Sequence, residues 1–120
     1  MTDSEKILRA ELAVARAELA EECAAHDLTS ARLAVASAER NISLGIEAKR
    51  VGADILNNPT STDDMRGAAN NSIAWGTGIV AESKEREARA KASEAHRAEA
   101  LKEAERRTSG ARAALGALGA

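Results

Sequence analysis

From the first turn onward, apolar side chains return every three or four positions, the repeat of an α-helix with one buried face. Leu8, Leu12, Ala15 and Leu19 step by four, three and four residues, a heptad seam. After Cys23 the phase slips, and a second seam takes over at Leu28, Ala31, Val35, Ala38, Ile42 and Gly45 with Ile46. His26-Asp27-Leu28-Thr29-Ser30 sits at the slip. The pattern there predicts a kink, a stutter, or a new helix capped by Asp27 or Thr29, which would make three helices in all. Thr2-x-x-Glu5 is a capping box that opens the first helix, and helical character lasts to about Leu56.

Asn57-Asn58-Pro59-Thr60-Ser61-Thr62 is the strongest break in the chain. A residue before proline is pushed out of the α region, and Asn tolerates the left-handed cap conformation. Ser61 or Thr62 then offers an N-cap, followed by Asp63 and Asp64, where the helix dipole favours negative charge. A second helix is expected from about 62 to about 108, with a Gly/Ala-rich tail over 109–120. Its first half is weakened by Gly and Asn. Its second half carries Glu82→Arg86, Glu85→Arg89, Glu87→Lys91 and Glu103→Arg107 in the favourable i,i+4 order.

A break near the midpoint of 120 residues predicts a single all-α domain: a long antiparallel helical hairpin with coiled-coil character. Residues whose numbers sum to about 119 would then lie level, with an uncertainty of about three. That register sets Gly52 opposite Gly67, Gly45 opposite Ala74 and Leu44 opposite Trp75. The glycines mark where the helices approach most closely. Ile73 and Trp75, two residues apart, cannot both face the partner helix, so one apolar side chain points away from the seam.

Composition bears this out. Apolar residues are 44% of the chain, but aromatic content is 1%: Trp75 is the one ring, and Phe and Tyr are absent. A compact globule fills its core with larger side chains, whereas a helix pair needs a narrow seam. Two helices alone bury little, so a homo-oligomer or a place in a larger assembly is expected. Trp75 and Ile73, Ile79 beside it, with Arg66, Asn70 and Asn71, are the candidate partner- or ligand-binding residues.

Charge and chemistry narrow the picture further. The net charge is −2, spread as −3 over residues 1–40, −1 over 41–80 and +2 over 81–120. No basic surplus marks a nucleic-acid binder, and the bases of the last third alternate with Glu and lack aromatic partners for stacking. A lone cysteine excludes an internal disulfide framework. Cys23-x-x-His26 with His96 is a sparse set of metal ligands with no second pair, so no metal or other cofactor is expected. Nucleophile-elbow, phosphate-loop and dinucleotide-loop motifs are missing, and the carboxylates sit beside bases, so no enzymatic activity is expected. MTDSEKILRA carries charge where a leader needs an apolar run, and no apolar run reaches the ~20 residues of a membrane span.

The expected role is a non-enzymatic structural, assembly or adaptor protein acting through helix–helix association, in the cytoplasm. Arginine exceeds lysine and alanine abounds, a usage that suits a high-GC bacterium or its phage, which adds a virion component to the expectation. Two alternatives stand beside it: an oligomer holding a small polar or nucleotide-like ligand through Arg66, Asn70, Asn71 and Trp75, and a regulator docking on a larger enzyme or nucleic-acid complex.

Overall fold

The computed structural model describes residues 1–119. They form an all-α hairpin of two helices, α1 (Asp3–Asn57) and α2 (Asp63–Ala117), each of 55 residues. The contacts divide the chain into two compact units. The end unit joins the first 31 residues to those from Ala92 on, and the turn unit spans Arg32–Lys91.

Local signals set the boundaries. The Glu5 amide donates to Thr2 Oγ1 at 3.2 Å, which starts α1. The Met65 amide donates to Thr62 Oγ1 at 3.2 Å, so Thr62 rather than Ser61 is the N-cap of α2. Ser61 instead turns back and donates its hydroxyl to the Ile55 carbonyl at 2.7 Å. Asn58 Oδ1 accepts from the Thr60 amide at 3.0 Å and the Thr60 hydroxyl at 2.8 Å, an Asx arrangement that closes the turn.

Three expectations are corrected. α1 runs unbroken through Thr29, whose hydroxyl folds back onto the Ala25 carbonyl at 3.1 Å, so no third helix starts there. α2, expected to end near 108 before a Gly/Ala-rich tail, is helical through Ala117. The chain leaves α2 at Gly119, whose φ of +80° is a left-handed conformation suited to glycine. Ala120, the last residue of the expected tail, lies outside the described residues.

The third correction concerns the seam. In the end unit α1 is buried or half-buried at Ile7, Ala10, Val14, Ala17, Glu21, Ala24, Leu28 and Ala31. These steps alternate three and four without interruption, and the same phase continues through Val35 and Ala38. The heptad has no slip. Leu8, Leu12 and Leu19 are exposed and belong to a separate stripe, about 150° round the helix from the buried one at roughly 100° per residue. The expected slip was the crossing between two stripes of one helix. The seam takes the smaller side chains and leaves the larger ones outside.

α2 keeps an equally regular seam. In the turn unit it passes through Ala69, Ile73, Gly76, Val80, Ser83, Glu87 and Ala90; in the end unit, through Glu94, Arg97, Leu101, Ala104, Thr108, Ala111 and Leu115. Across the end unit Arg97 pairs with Asp27 at 3.4 Å and Arg112 with Glu18 at 3.0 Å. Among the described residues the buried apolar side chains are Leu28, Ala31, Ala38, Ala69 and Ala104, four of the five being alanine. Coils of this kind hold together by close approach of backbones rather than by bulk.

Candidate association surface

In the turn unit, glycine sets how near the two backbones come. A Cβ placed on Gly45 would lie 2.5 Å from Ile79 Cγ2, 2.6 Å from Val80 Cγ2 and 3.0 Å from the Gly76 carbonyl oxygen. One on Gly76 would meet the Gly45 carbonyl oxygen at 2.5 Å, and one on Gly52 the Ala69 carbonyl oxygen at 2.8 Å. Gly45 therefore faces Gly76, and Gly52 faces Ala69 and Ile73. This register lies within the expected range, but Gly67 is not the partner of Gly52: nothing lies within 4 Å of a Cβ on Gly67 or Gly78.

The close approach decides what is left outside. Ile73 is half-buried in the seam, and Trp75 is 54% exposed. The ring is thus the side chain that points away. Exposed Leu44 and Val51 each precede a seam glycine, Gly45 and Gly52. Exposed Met65 precedes half-buried Arg66, and half-buried Ile79 precedes Val80. In an antiparallel pair a local twofold relates the helices, so like heptad positions share one flank. Leu44 and Val51 stand before their glycines as Trp75 stands before Gly76, so these three share one side of the turn unit, with Met65 and Ile79 nearer the seam on that side. On α1 the strip is bordered by Glu47 and Asp54. Both hold Arg50, at 2.5 Å and 2.9 Å. The hydrogen bonds and charge of Arg50 keep the Glu47 carboxyl below its ordinary value of 4.5.

The six candidate residues do not converge on one pocket. Trp75, Asn70 and Asn71 are exposed, but Asn70 is five residues from the ring and lies on the other flank. Arg66 closes the turn: its guanidinium donates to the Leu56 carbonyl at 3.3 Å and the Asn58 carbonyl at 3.4 Å. The last turn of α1 has no base of its own, so Arg66 supplies the cation that its carbonyl end favours. Ile73 and Ile79 belong to the seam and its edge. Among the described residues no three His, Cys, Asp or Glu side chains gather to hold a metal ion, and Cys23 is exposed. No described helix is long and apolar enough to cross a membrane.

Sequence reasoning missed two features. One is the exposed leucine stripe of α1, taken for the seam because leucine is the larger residue. The other is Ser83, wholly buried, with a hydroxyl that has no hydrogen-bond partner. The end unit also holds a groove of about 490 Å³ lined by Ala17, Ala20 and Ala24 against Ala100 and Ala104, with Arg16 and Arg107 at its rim. No family model, curated protein or solved structure matches the chain.

Proposed function

We propose that this chain is a non-enzymatic assembly element, a helical hairpin that acts by packing its exposed apolar faces against further copies of itself. One observation carries the reading: bulk is outside and alanine is inside. Leu8, Leu12, Leu19, Leu33, Leu44, Ile46, Val51, Met65 and Trp75 all remain exposed, while the buried core is one leucine and four alanines. Fully burying a large apolar side chain contributes about 1.5–3 kcal/mol, far more than a buried alanine. Such a chain gains most of its burial by association. Scattered exposed leucines are ordinary, but a strip along one flank of a helix pair is what interfaces use, and tryptophan is a favoured anchor in them.

The second copy is favoured as occupant because the deficit is the chain's own: a thin seam is completed when two strips cover each other. The ligand reading has less behind it, since Arg66 is engaged at the turn and Asn70 lies on the other flank from Trp75. Native mass by size-exclusion chromatography with light scattering, over a concentration series, tests the proposal. A defined oligomer that Trp75→Ala weakens is the expected result. A folded monomer at every concentration overturns it and favours an adaptor or a regulator seated in a larger complex, such as a phage particle.

A further inference from the structure

The exposed stripe of α1 in the end unit has its own heptad grammar. Leu8, Ala15 and then Glu22 fall at one core-type position, Leu12 and Leu19 at the other. All of these but Glu22 are apolar, and Leu8 and Leu19 are 66% and 62% exposed. On one side of the stripe stand Arg9 and Arg16, each directly after a core position. On the other stand Glu11 and Glu18, each directly before one. One edge is basic and the other acidic.

That segregation chooses an orientation. In an antiparallel pairing of two such stripes, like edges meet: Arg faces Arg and Glu faces Glu. In a parallel pairing the acidic edge of each helix meets the basic edge of the other. A residue before a core position then pairs with one five residues on in its partner. Glu11 and Arg16 have that spacing. Both are exposed, and among the described residues no ion pair within the chain engages Arg9, Glu11 or Arg16. Glu18 already holds Arg112 at 3.0 Å, so the pair that crosses between chains is Glu11 with Arg16.

We propose that α1 of one copy packs in parallel against α1 of a second copy through Leu8, Leu12, Ala15 and Leu19, with Glu11 of each chain paired to Arg16 of the other. This rests on the reading of the chain as self-associating, but uses a surface separate from the Trp75 flank. Core layers in a parallel pair are self-facing, so each residue of the stripe meets its own copy. The helix is already formed in each hairpin, so docking orders little beyond side chains.

The test is cross-linking of the full chain. Ala15→Cys is placed in a Cys23→Ser background and oxidised mildly; a disulfide-linked dimer on a non-reducing gel is expected. Leu8→Cys in that background should likewise link to itself, whereas an antiparallel pair would place residue 8 near residue 19 of the other chain. Glu11→Arg should raise the dimer dissociation constant about tenfold or more. The swap Glu11→Arg with Arg16→Glu should restore it. These positions are exposed, so far-UV circular dichroism should show the hairpin intact. No cross-link at Ala15, or a dimer indifferent to Glu11→Arg, overturns the parallel pairing. If Trp75→Ala weakens the oligomer while Ala15→Cys does not cross-link, this pairing fails and the assembly reading survives. If neither holds and the chain is monomeric, both fall.

Discussion

Gly76 and Gly78 lie two residues apart in one helix, and alanine should act on them in opposite directions. Each substitution gains about 1 kcal/mol of helix propensity. At Gly78 nothing lies within 4 Å of the new methyl, so the gain is kept. At Gly76 the methyl would sit 2.5 Å from the Gly45 carbonyl oxygen and 2.8 Å from Lys49 Cγ. The lysine stem can swing aside; the carbonyl is backbone in a continuous helix. Ordinary contact needs about 1 Å more, and only separation of the helices supplies it. Overpacking of this sort costs about 1–3 kcal/mol. Separation also weakens the contacts that Ile79 and Val80 make over Gly45. The net expectation is a loss of up to about 2 kcal/mol for Gly76→Ala against a gain of about 1 kcal/mol for Gly78→Ala. Urea denaturation followed by far-UV circular dichroism, at one fixed chain concentration, reads the gap as opposite shifts of the midpoint at constant slope. Equal stabilisation by both would refute the close approach of α1 and α2 at this point.

Four further outcomes follow from the same structure. Ser83→Ala removes a buried hydroxyl without a partner and should stabilise by about 1 kcal/mol in thermal unfolding; a loss would mean the hydroxyl is bonded in solution. Thr62→Ala deletes the N-cap of α2 and should cost about 1 kcal/mol by the same measurement, an effect that Thr62→Ser should largely avoid. The Glu47 carboxyl, lowered by Arg50, contributes stability above its ordinary pKa of 4.5 that is lost as pH falls through the lowered value. By NMR its titration midpoint should lie below 4.5, and Arg50→Gln should raise it. Trp75, the one fluorophore of its kind, should emit as a wet indole at low concentration and shift to the blue as the oligomer forms; an emission independent of concentration would place the interface elsewhere.

Much of the fold was legible because its signals are local. Thr2, Pro59 and Thr62 each act within one turn of helix, and they mark both starts and the reversal. The phase of the seam was not legible in the same way. A helix with two apolar stripes offers two candidate faces, and ranking by side-chain size picks the leucines. Which face is buried depends on both helices together. α2 brings Ile73, Val80, Leu101 and Leu115 to the seam between its small residues, so the opposing face is the one whose small residues let the backbones close. Only the pair decides that, and no window along one helix contains the pair. The tail went unread for a related reason: Gly110 and Gly116 argue for a loose end, but Ala111 and Leu115 still fall in the seam and hold the last turns helical.

The glycines and the leucines are two sides of one arrangement. Where α1 and α2 close on Gly45, Gly52 and Gly76, the space over the α1 glycines is taken by Ile73, Ile79 and Val80, and Leu44, Val51 and Trp75 are left on a flank. A hairpin stabilised by bulk would use its Trp and Leu inside and present a polar exterior. This one spends little apolar area on itself, so the rest is available to a neighbour. Filling the seam should therefore trade one use for the other. Gly76→Ala pushes α1 and α2 apart beneath the Trp75 flank, which should weaken self-association through that flank as well as the fold. Light scattering on that variant, at temperatures where the hairpin is still folded, separates the two effects. An unchanged oligomer beside a destabilised hairpin would show that the flank owes nothing to the glycine contact.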